Sequence, residues 1–277
     1  MFRIVASFVL AVLFSGCEQM KGHAFSPLVP GITASPQKMI FLKKPLREIS
    51  GIFFHSPTEL VAINDEEGAL FFINTGTGEF RKKNFGAKGD YEDVVETPSG
   101  FYVLKSNGSI HQLDKEGNEL AVFGRKFPKS IEFESLCYDS EKNELVLICK
   151  SCGPKEPFIH AWRFVINTNT YEDMPGFSIP MEEIRKLGKN DEIICKPSAA
   201  AFHPLTGKLY LIASVGKILV QCSREGKAEM VYTINPDLFP QPEGLCFTPA
   251  GDLFISNEGA EHKASLLYFP LFPGKNP

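Results

Sequence analysis

Residues 241–245 read Gln-Pro-Glu-Gly-Leu, and four related segments occur earlier in the chain, each with a central serine or glutamate. They are Glu48-Ile-Ser-Gly-Ile52, Asp90-Tyr-Glu-Asp-Val94, Glu132-Phe-Glu-Ser-Leu136 and Lys196-Pro-Ser-Ala-Ala200. The central residues, Ser50, Glu92, Glu134, Ser198 and Glu243, follow one another at spacings of 42, 42, 64 and 45 residues. A period of about 40–45 residues made of short strands is typical of a β-propeller, with one four-stranded blade per repeat.

The repeats also indicate how the ring closes. The last repeat lacks one strand, and an unassigned apolar strand lies at residues 38–42, just before the first repeat. We expect this strand to complete the last blade. The third repeat is longer than its neighbours, and its extra length includes residues 181–187, which have helical spacing. Because that insert is too short for another blade, the sequence predicts an all-β fold, a single propeller of about five blades rather than six.

The N-terminus has the pattern of a bacterial lipoprotein. A basic start and an apolar run lead to Leu13-Phe14-Ser15-Gly16-Cys17, which resembles a lipobox. We therefore predict a signal peptide at 1–16, lipidation of Cys17, a flexible tether over 17–37 and the propeller over 38–277. An acyl anchor would hold the protein on a membrane of the cell envelope, the outer membrane or cell surface of a Gram-negative bacterium. The alternative is an ordinary secreted protein.

Charge and cysteine content exclude some classes of function. The net charge of -4, without a basic run, excludes a nucleic-acid binder, and we expect a monomer. Beyond Cys17, six cysteines remain, and the sequence does not choose among their possible pairings. Cys149 and Cys152 have C-x-x-C spacing, for which a local loop or disulfide is favoured over a redox or metal role.

The central residues of the repeats are expected to form a ring around the propeller axis. Carboxylates about 6 Å apart repel by roughly 3 kcal/mol per pair at an effective dielectric near 20, so the ring needs a counter-charge. Calcium, which binds six to eight oxygen ligands, fits this requirement. The predicted metal ligands are Glu92, Glu134 and Glu243, with Ser50 and Ser198 as further ligands. The alternative is neutralisation by Lys196 or Lys105 and a water-filled channel.

Other polar residues lie at the ends of strands, where they are expected to face one mouth of the channel. The predicted ligand-binding residues at this mouth are Asp65, Lys105, Lys196, Asn257 and Glu258. Asp65, Asp93 and Glu258 are the only candidates for a catalytic base, and none belongs to a diagnostic motif. His55 and His203 occupy a column of turn residues with Thr97, Asp139 and Thr248, which favours a structural role.

The chain resembles the SdiA-regulated family of bacterial propeller proteins. The matching segments include Glu48-Ile-Ser-Gly-Ile52, Tyr91-Glu-Asp-Val94, Phe133-Glu-Ser-Leu-Cys-Tyr-Asp139, Lys196-Pro-Ser198, Gln241-Pro-Glu-Gly244 and Ser256-Asn-Glu258, which together extend from about residue 40 to 270. The resemblance implies a propeller with a calcium-type site near the axis, formed by the glutamates at 92, 134 and 243. The sequence departs from the commoner Glu-Gly pairing at Glu92-Asp93 and Glu134-Ser135.

Two classes of function remain. The first is a binding module that presents its channel mouth to a small-molecule or protein ligand at the cell envelope. The second is a calcium-dependent hydrolase of lactones, esters or phosphoesters, in which the metal would act as a Lewis acid. Because propellers have many unrelated activities, the fold does not decide between them. The lack of a nucleophile motif favours the binding module.

Overall fold

The computed structural model describes residues 29–259 and 263–272. The predicted signal peptide, Cys17 and the first part of the predicted tether lie outside the described residues, as do residues 273–277. Among the residues described, no helix is both long enough and apolar enough to cross a membrane.

The described strands form five antiparallel sheets. The N-terminal strand, β1 (Lys38–Phe41), belongs to the last of them. The first blade contains β2 (Ile49–Ser56), β3 (Glu59–Asn64), β4 (Ala69–Asn74) and β5 (Phe80–Asn84). The second contains β6 (Tyr91–Thr97), β7 (Gly100–Lys105), β8 (Ile110–Leu113) and β9 (Glu119–Phe123). The third contains β10 (Ile131–Asp139), β11 (Glu144–Cys152), β12 (Phe158–Val165), β13 (Thr170–Tyr171) and β14 (Phe177–Pro180). The fourth contains β15 (Ala199–Phe202), β16 (Leu209–Ala213), β17 (Ile218–Cys222) and β18 (Ala228–Thr233). The fifth contains β19 (Pro242–Phe247), β20 (Leu253–Asn257) and β21 (Ser265–Phe269).

The N-terminal strand closes the ring, as the sequence predicts. β1 pairs antiparallel with β21, with Lys38 opposite Tyr268 and Phe41 opposite Ser265, so the last blade has four strands in the order β1-β21-β20-β19. The fold is therefore a five-bladed β-propeller, and the alternative of six blades is excluded. Because the first and last parts of the chain share one sheet, closure joins distant parts of the sequence through backbone hydrogen bonds.

The long third repeat contains the predicted helix. β13 and β14 both pair with β12, and the helix α1 (Met181–Gly188) follows β14 directly. Glu182 and Glu183 lie in its first turn and basic residues in its last, which suits the helix dipole. Ile184 is buried, and the helix packs mainly on β18 of the fourth blade. The insert thus extends one blade and adds no further blade.

The innermost strands of the five blades are β2, β6, β10, β15 and β19, and they surround the axis. Neighbouring inner strands contact one another around the ring, as β2 does with β6 and β19. Apolar residues on both faces of these strands are buried between neighbouring sheets. This burial explains why the sequences of the inner strands are apolar runs. All five inner strands begin at the same mouth of the channel, because every blade follows the same path outward.

The segment before β1 differs from the predicted tether. Val29 and Ile32 are buried and pack on the cluster that contains Phe239 and Phe269 of the fifth-blade region. Ile32 also forms an isolated bridge with Leu271. Burial of these apolar side chains is favourable in free energy and holds the segment on the propeller. Part of the predicted tether, from residue 29 onward, therefore packs on the propeller.

Candidate functional site

One mouth of the axial channel is a strongly acidic cavity of about 210 Å³. Glu92, Glu134 and Glu243 of the predicted ring lie together there, beside Asp65 and Glu258 of the predicted mouth group. Glu48 and Asp90 complete a set of seven carboxylates around it, and Lys150 is the only basic residue among the described residues that line it. The structure thus brings the three predicted glutamates together at a common cavity.

Lys150 supplies the counter-charge that the ring requires. Its Nζ donates a hydrogen bond of 2.9 Å to Glu134 Oε1. Burial lowers the pKa of Lys150, but the charges of Glu134, Glu243 and Glu92 raise it by more, so the ammonium stays protonated. The sequence analysis had named Lys196 or Lys105 for this role. Lys150 provides the counter-charge instead, because it lies opposite Glu134 at a point where both strands depart from regular pairing.

A disulfide encloses Lys150. Cys149 and Cys152 are bonded to each other, so Lys150 and Ser151 form the two-residue interior of this short loop. The pairing of β10 with β11 shifts register on both sides of Phe133, and Glu134 and Lys150 have no direct strand partners there. The local-disulfide interpretation of the C-x-x-C spacing is therefore confirmed. The four other described cysteines are buried free thiols: Cys137, Cys195, Cys222 and Cys246.

Glu92 is the most isolated carboxylate of the mouth. Its residue is only 7% exposed, yet its side chain has no hydrogen bond or ion pair with the described residues. Burial, together with the charge of Glu134, raises the pKa of Glu92 to about 9. Burial also raises the pKa of Glu243 to about 7, against the lowering effect of Lys150. A cation bound beside these carboxyls would lower their pKa values and favour the charged forms.

Stability should fall with rising pH because of these groups. A carboxyl whose pKa is higher in the folded chain than in the unfolded chain binds its proton more tightly when folded. Its contribution is present below the unfolded value, near 4.5, and is lost as the pH rises through about 7 for Glu243 and about 9 for Glu92. We expect chemical denaturation to give a lower free energy of unfolding at pH 9 than at pH 5. Glu92→Gln should flatten this dependence, whereas Glu116→Gln, in an exposed turn, should not. An equal slope in both variants would contradict this assignment.

The rim of the mouth holds a pair of carboxyls, Glu48 and Glu258. Burial and a hydrogen bond with Glu48 raise the pKa of Glu258 to about 8, and Gln241 also donates a hydrogen bond to Glu258. Asp65 stands nearby with a buried Oδ1 that has no hydrogen-bond partner among the described residues. Burial, followed by the charge of Glu48, raises its pKa to about 6. Two candidate catalytic groups thus titrate near neutral pH.

The serines of the central column join neighbouring blades through their hydroxyl groups. Ser50 Oγ donates a hydrogen bond of 2.6 Å to the backbone oxygen of Glu92 in the next blade. Ser198 Oγ makes the same kind of bond, also 2.6 Å, to the backbone oxygen of Pro242. Both hydroxyls thus donate their hydrogen across a boundary between blades, and Ser50 also lines the acidic cavity beside the three glutamates. Small side chains at these positions let adjacent inner strands approach.

Asp93 belongs to the same seams between blades and not to the acidic mouth. Its carboxylate accepts hydrogen bonds from the backbone N–H groups of Val94, at 2.8 Å, and Leu136, at 2.7 Å. Complete burial raises its pKa well above the usual range, although both bonds act in the opposite direction. Asp93 therefore contacts the third blade as Ser50 contacts the second. The structure gives it a structural position, away from Asp65 and Glu258.

The remaining predicted mouth residues lie elsewhere. Asn257 is 1% exposed and donates hydrogen bonds to Leu238 O and Ser265 Oγ, so it holds loops together. Lys105 lies over the ring of Tyr91 at 4.9 Å, and Lys196 lines a separate surface cavity beside Cys152. Their positions at the ends of strands in the sequence predict that these side chains lie at the mouth. The turns that follow β7 and precede β15 direct Lys105 and Lys196 away from it.

Glu48 and Asp90 are site residues that the sequence analysis missed. Each lies two positions before a central residue, Ser50 or Glu92, and side chains two positions apart share a face of a strand. The repeat alignment contained this signal as a second column, whose other members are Glu132, Lys196 and Gln241. Only the structure shows that Glu48, Asp90 and Gln241 line the acidic cavity, whereas Glu132 and Lys196 line another one.

The oxygen-rich donor set of the mouth suits a hard cation such as calcium. Among the residues described, no three of His, Cys, Asp and Glu stand close enough together to hold a metal ion. The Lys150 ammonium already engages Glu134, and the hydroxyls of Ser50 and Ser198 bond to backbone. Calcium therefore stays a prediction that requires a binding measurement.

The chain resembles known proteins in fold alone. No protein-family profile matches it, and no curated protein does, so the resemblance to the SdiA-regulated family stays a prediction. Among solved structures, a streptogramin B lyase is similar over 84% of this chain and 97% of that chain, at 10% identity and a TM-score of 0.49. A luciferin-regenerating enzyme is similar over 85% and 96%, at 10% identity and 0.49. The virginiamycin B lyase from Staphylococcus aureus is similar over 85% and 70%, at 14% identity and 0.47.

Proposed function

We propose that this protein is a binding module whose acidic mouth captures a cationic ligand that carries amine groups. Glu92 is the observation that carries the proposal, because a carboxylate 7% exposed and without a hydrogen-bond partner faces a cavity lined by other carboxylates. Burial disfavours the charged form of this carboxyl and raises its pKa to about 9. A ligand that places an ammonium group beside it would favour the charged form and gain an ion pair.

Lys150 supports an amine as the ligand chemistry. Its ammonium lies 2.9 Å from Glu134, and Glu92 and Glu243 are near enough to raise its pKa. The mouth therefore already solvates one primary ammonium. After that ion pair, six carboxylates remain around the cavity, and the side chain of Glu243 is nearly buried. A polyamine, or a molecule with two amines at similar separation, matches this arrangement.

The cellular setting of this proposal is the envelope. The lipobox-like end of residues 13–17 supports a lipid-anchored monomer on the outer membrane or cell surface, with a membrane as its attachment and the acidic mouth facing the surroundings. Calcium is the competing cation for the same mouth, and it would have to displace Lys150 from Glu134.

Calorimetric titration of the purified protein with spermidine tests the proposal. At pH 8.5, where more of the carboxyls are ionised than at pH 7, we expect one molecule to bind. Glu92→Gln should weaken binding about tenfold, which corresponds to about 1.4 kcal/mol, and Glu116→Gln should leave it unchanged. Calcium is titrated separately. If calcium binds in a Glu92-dependent way and spermidine does not, the cation is a metal and the amine proposal is wrong.

A hydrolase is the second candidate, because the pKa values of Asp65 and Glu258, about 6 and about 8, suit general acid–base catalysis near neutral pH. A panel of lactone, aryl-ester and phosphoester substrates, with and without calcium, tests it. Turnover that Glu258→Gln abolishes would support the hydrolase, and no turnover on any substrate would leave binding as the function.

A further inference from the structure

A second cavity of about 310 Å³ occupies the opposite end of the axial channel. The inner strands begin at the acidic mouth and end around this cavity, which is lined by residues from the last halves of β2, β6, β10, β15 and β19. Its volume lies at the lower end of the range for ligand pockets, about 300–1,000 Å³. The two cavities are therefore separate sites on one axis.

The walls of this second cavity are aromatic and aliphatic. Phe53, Phe54, Tyr138 and Phe202 are half-buried side chains that line it, and Phe247 is nearly buried behind them. Aromatic rings that retain exposure around a concave space offer flat apolar surface to a small molecule. The chemistry of this end is thus opposite to that of the carboxylate-rich mouth.

The charged groups around the cavity are already paired. Arg224 forms ion pairs with Asp139 and Glu141, and Asp139 also pairs with Arg163. The buried carboxylate of Asp93 accepts two backbone hydrogen bonds. Because these charges have partners, the cavity offers no free charge to an ion, and a neutral ligand fits it best.

His203 provides one unused hydrogen-bond donor in the wall. The residue is 5% exposed, and its Nδ1 accepts a hydrogen bond of 3.2 Å from the N–H of Leu205. With Nδ1 as acceptor, the neutral ring carries its hydrogen on Nε2. Burial lowers the pKa of His203, which favours that neutral form. Nε2 has no hydrogen-bond partner within the described part of the chain.

We propose that this cavity binds a small, neutral, largely apolar molecule with one acceptor oxygen, which accepts a hydrogen bond from His203 Nε2–H. The aromatic walls would bury the apolar part of the molecule, and the histidine would fix its orientation. This site is independent of the acidic mouth, so it can exist whether or not the mouth binds a cation.

Two probes of nearly equal shape test the role of the acceptor oxygen. Acetophenone has a carbonyl oxygen where α-methylstyrene has a CH₂ group. In a protein NMR titration, we expect both probes to shift the backbone amides of Ala200–Phe202, Cys137 and Phe247. Acetophenone should bind about fivefold more tightly, the effect of one neutral hydrogen bond. In His203→Phe the two affinities should become equal, whereas His111→Phe, outside the cavity, should keep the difference.

The proposal is overturned if neither probe shifts these amides, or if His203→Phe retains the preference for acetophenone. Should His203→Phe fail to fold, nuclear Overhauser contacts in the wild-type protein decide the matter. Contacts between acetophenone protons and the rings of Phe202 and Phe247 support the site, and contacts confined to other surfaces refute it.

Discussion

Gly51→Ala should destabilise the propeller by about 3 kcal/mol, at the upper end of the cost of overpacking a core. A Cβ at this position would lie 2.5 Å from the Cα of Asp93 and closer still to its Oδ1. Because one of these atoms belongs to the backbone of the next inner strand, a change of side-chain rotamer does not relieve the clash. The first and second blades would have to separate along the seam that the hydrogen bond from Ser50 to the backbone oxygen of Glu92 holds together.

Gly124→Ala is the matched control for this prediction. Gly124 is exposed, and a Cβ there would have Ser109 Oγ as its nearest neighbour, at 3.6 Å, which is an ordinary contact. Thermal and chemical unfolding of both variants measure the effect. If the two alanine variants differ by less than about 0.5 kcal/mol, the range of ordinary surface substitutions, the close approach of the blades is not a requirement of the fold.

Lys150→Met should strengthen spermidine binding about tenfold, since it removes the one ammonium among the described groups of the mouth. Two unit charges about 4 Å apart interact by about 4 kcal/mol at an effective dielectric near 20, so even a partial loss of this repulsion exceeds 1 kcal/mol. Part of this gain in affinity is offset. Lys150 lowers the pKa of Glu134 in the wild-type protein, so in the variant this pKa would rise and less of Glu134 would be ionised. The affinity of the variant is measured by the same calorimetric titration as that of wild type.

Lys115→Met, in an exposed turn of the second blade, controls for the loss of one positive charge from the whole molecule. It should change the affinity little, because an exposed charge far from the mouth is screened by salt. A Lys150→Met variant that binds spermidine more weakly than wild type would mean that Lys150 organises the carboxylates for the ligand. The view of Lys150 as a competing ammonium would then be wrong.

The fold could be predicted in detail because its signals are repeated and local. Five related segments, spaced by 42, 42, 64 and 45 residues, mark the inner strands, and the apolar run at 38–42 has no partner except the incomplete last blade. The helix of the third repeat was also predictable, since its spacing and charges lie within eight residues. None of these signals depends on how blades are placed around the axis.

The site could be predicted only in part. The glutamates at 92, 134 and 243 do meet at one cavity, as equivalent positions in a ring must. The partner of Glu134 could not be foreseen, because Lys150 reaches it only through a register shift next to the Cys149–Cys152 disulfide. The position of Asp93 could not be predicted either, because the residue one position after Glu92 is directed to the opposite face of the strand.

The sequence by itself therefore determined the number of blades, the way the ring closes and the acidic character of one mouth. Only the tertiary structure decided which polar groups of the repeated columns face the channel and which join the blades. The physical reason is that Ser50, Asp93 and Ser198 find backbone partners on the adjacent blade, at distances set by blade packing and not by local sequence. A hydrogen bond formed there ties the side chain to the adjacent blade, whereas Glu92, which has no such partner among the described residues, lines the acidic mouth.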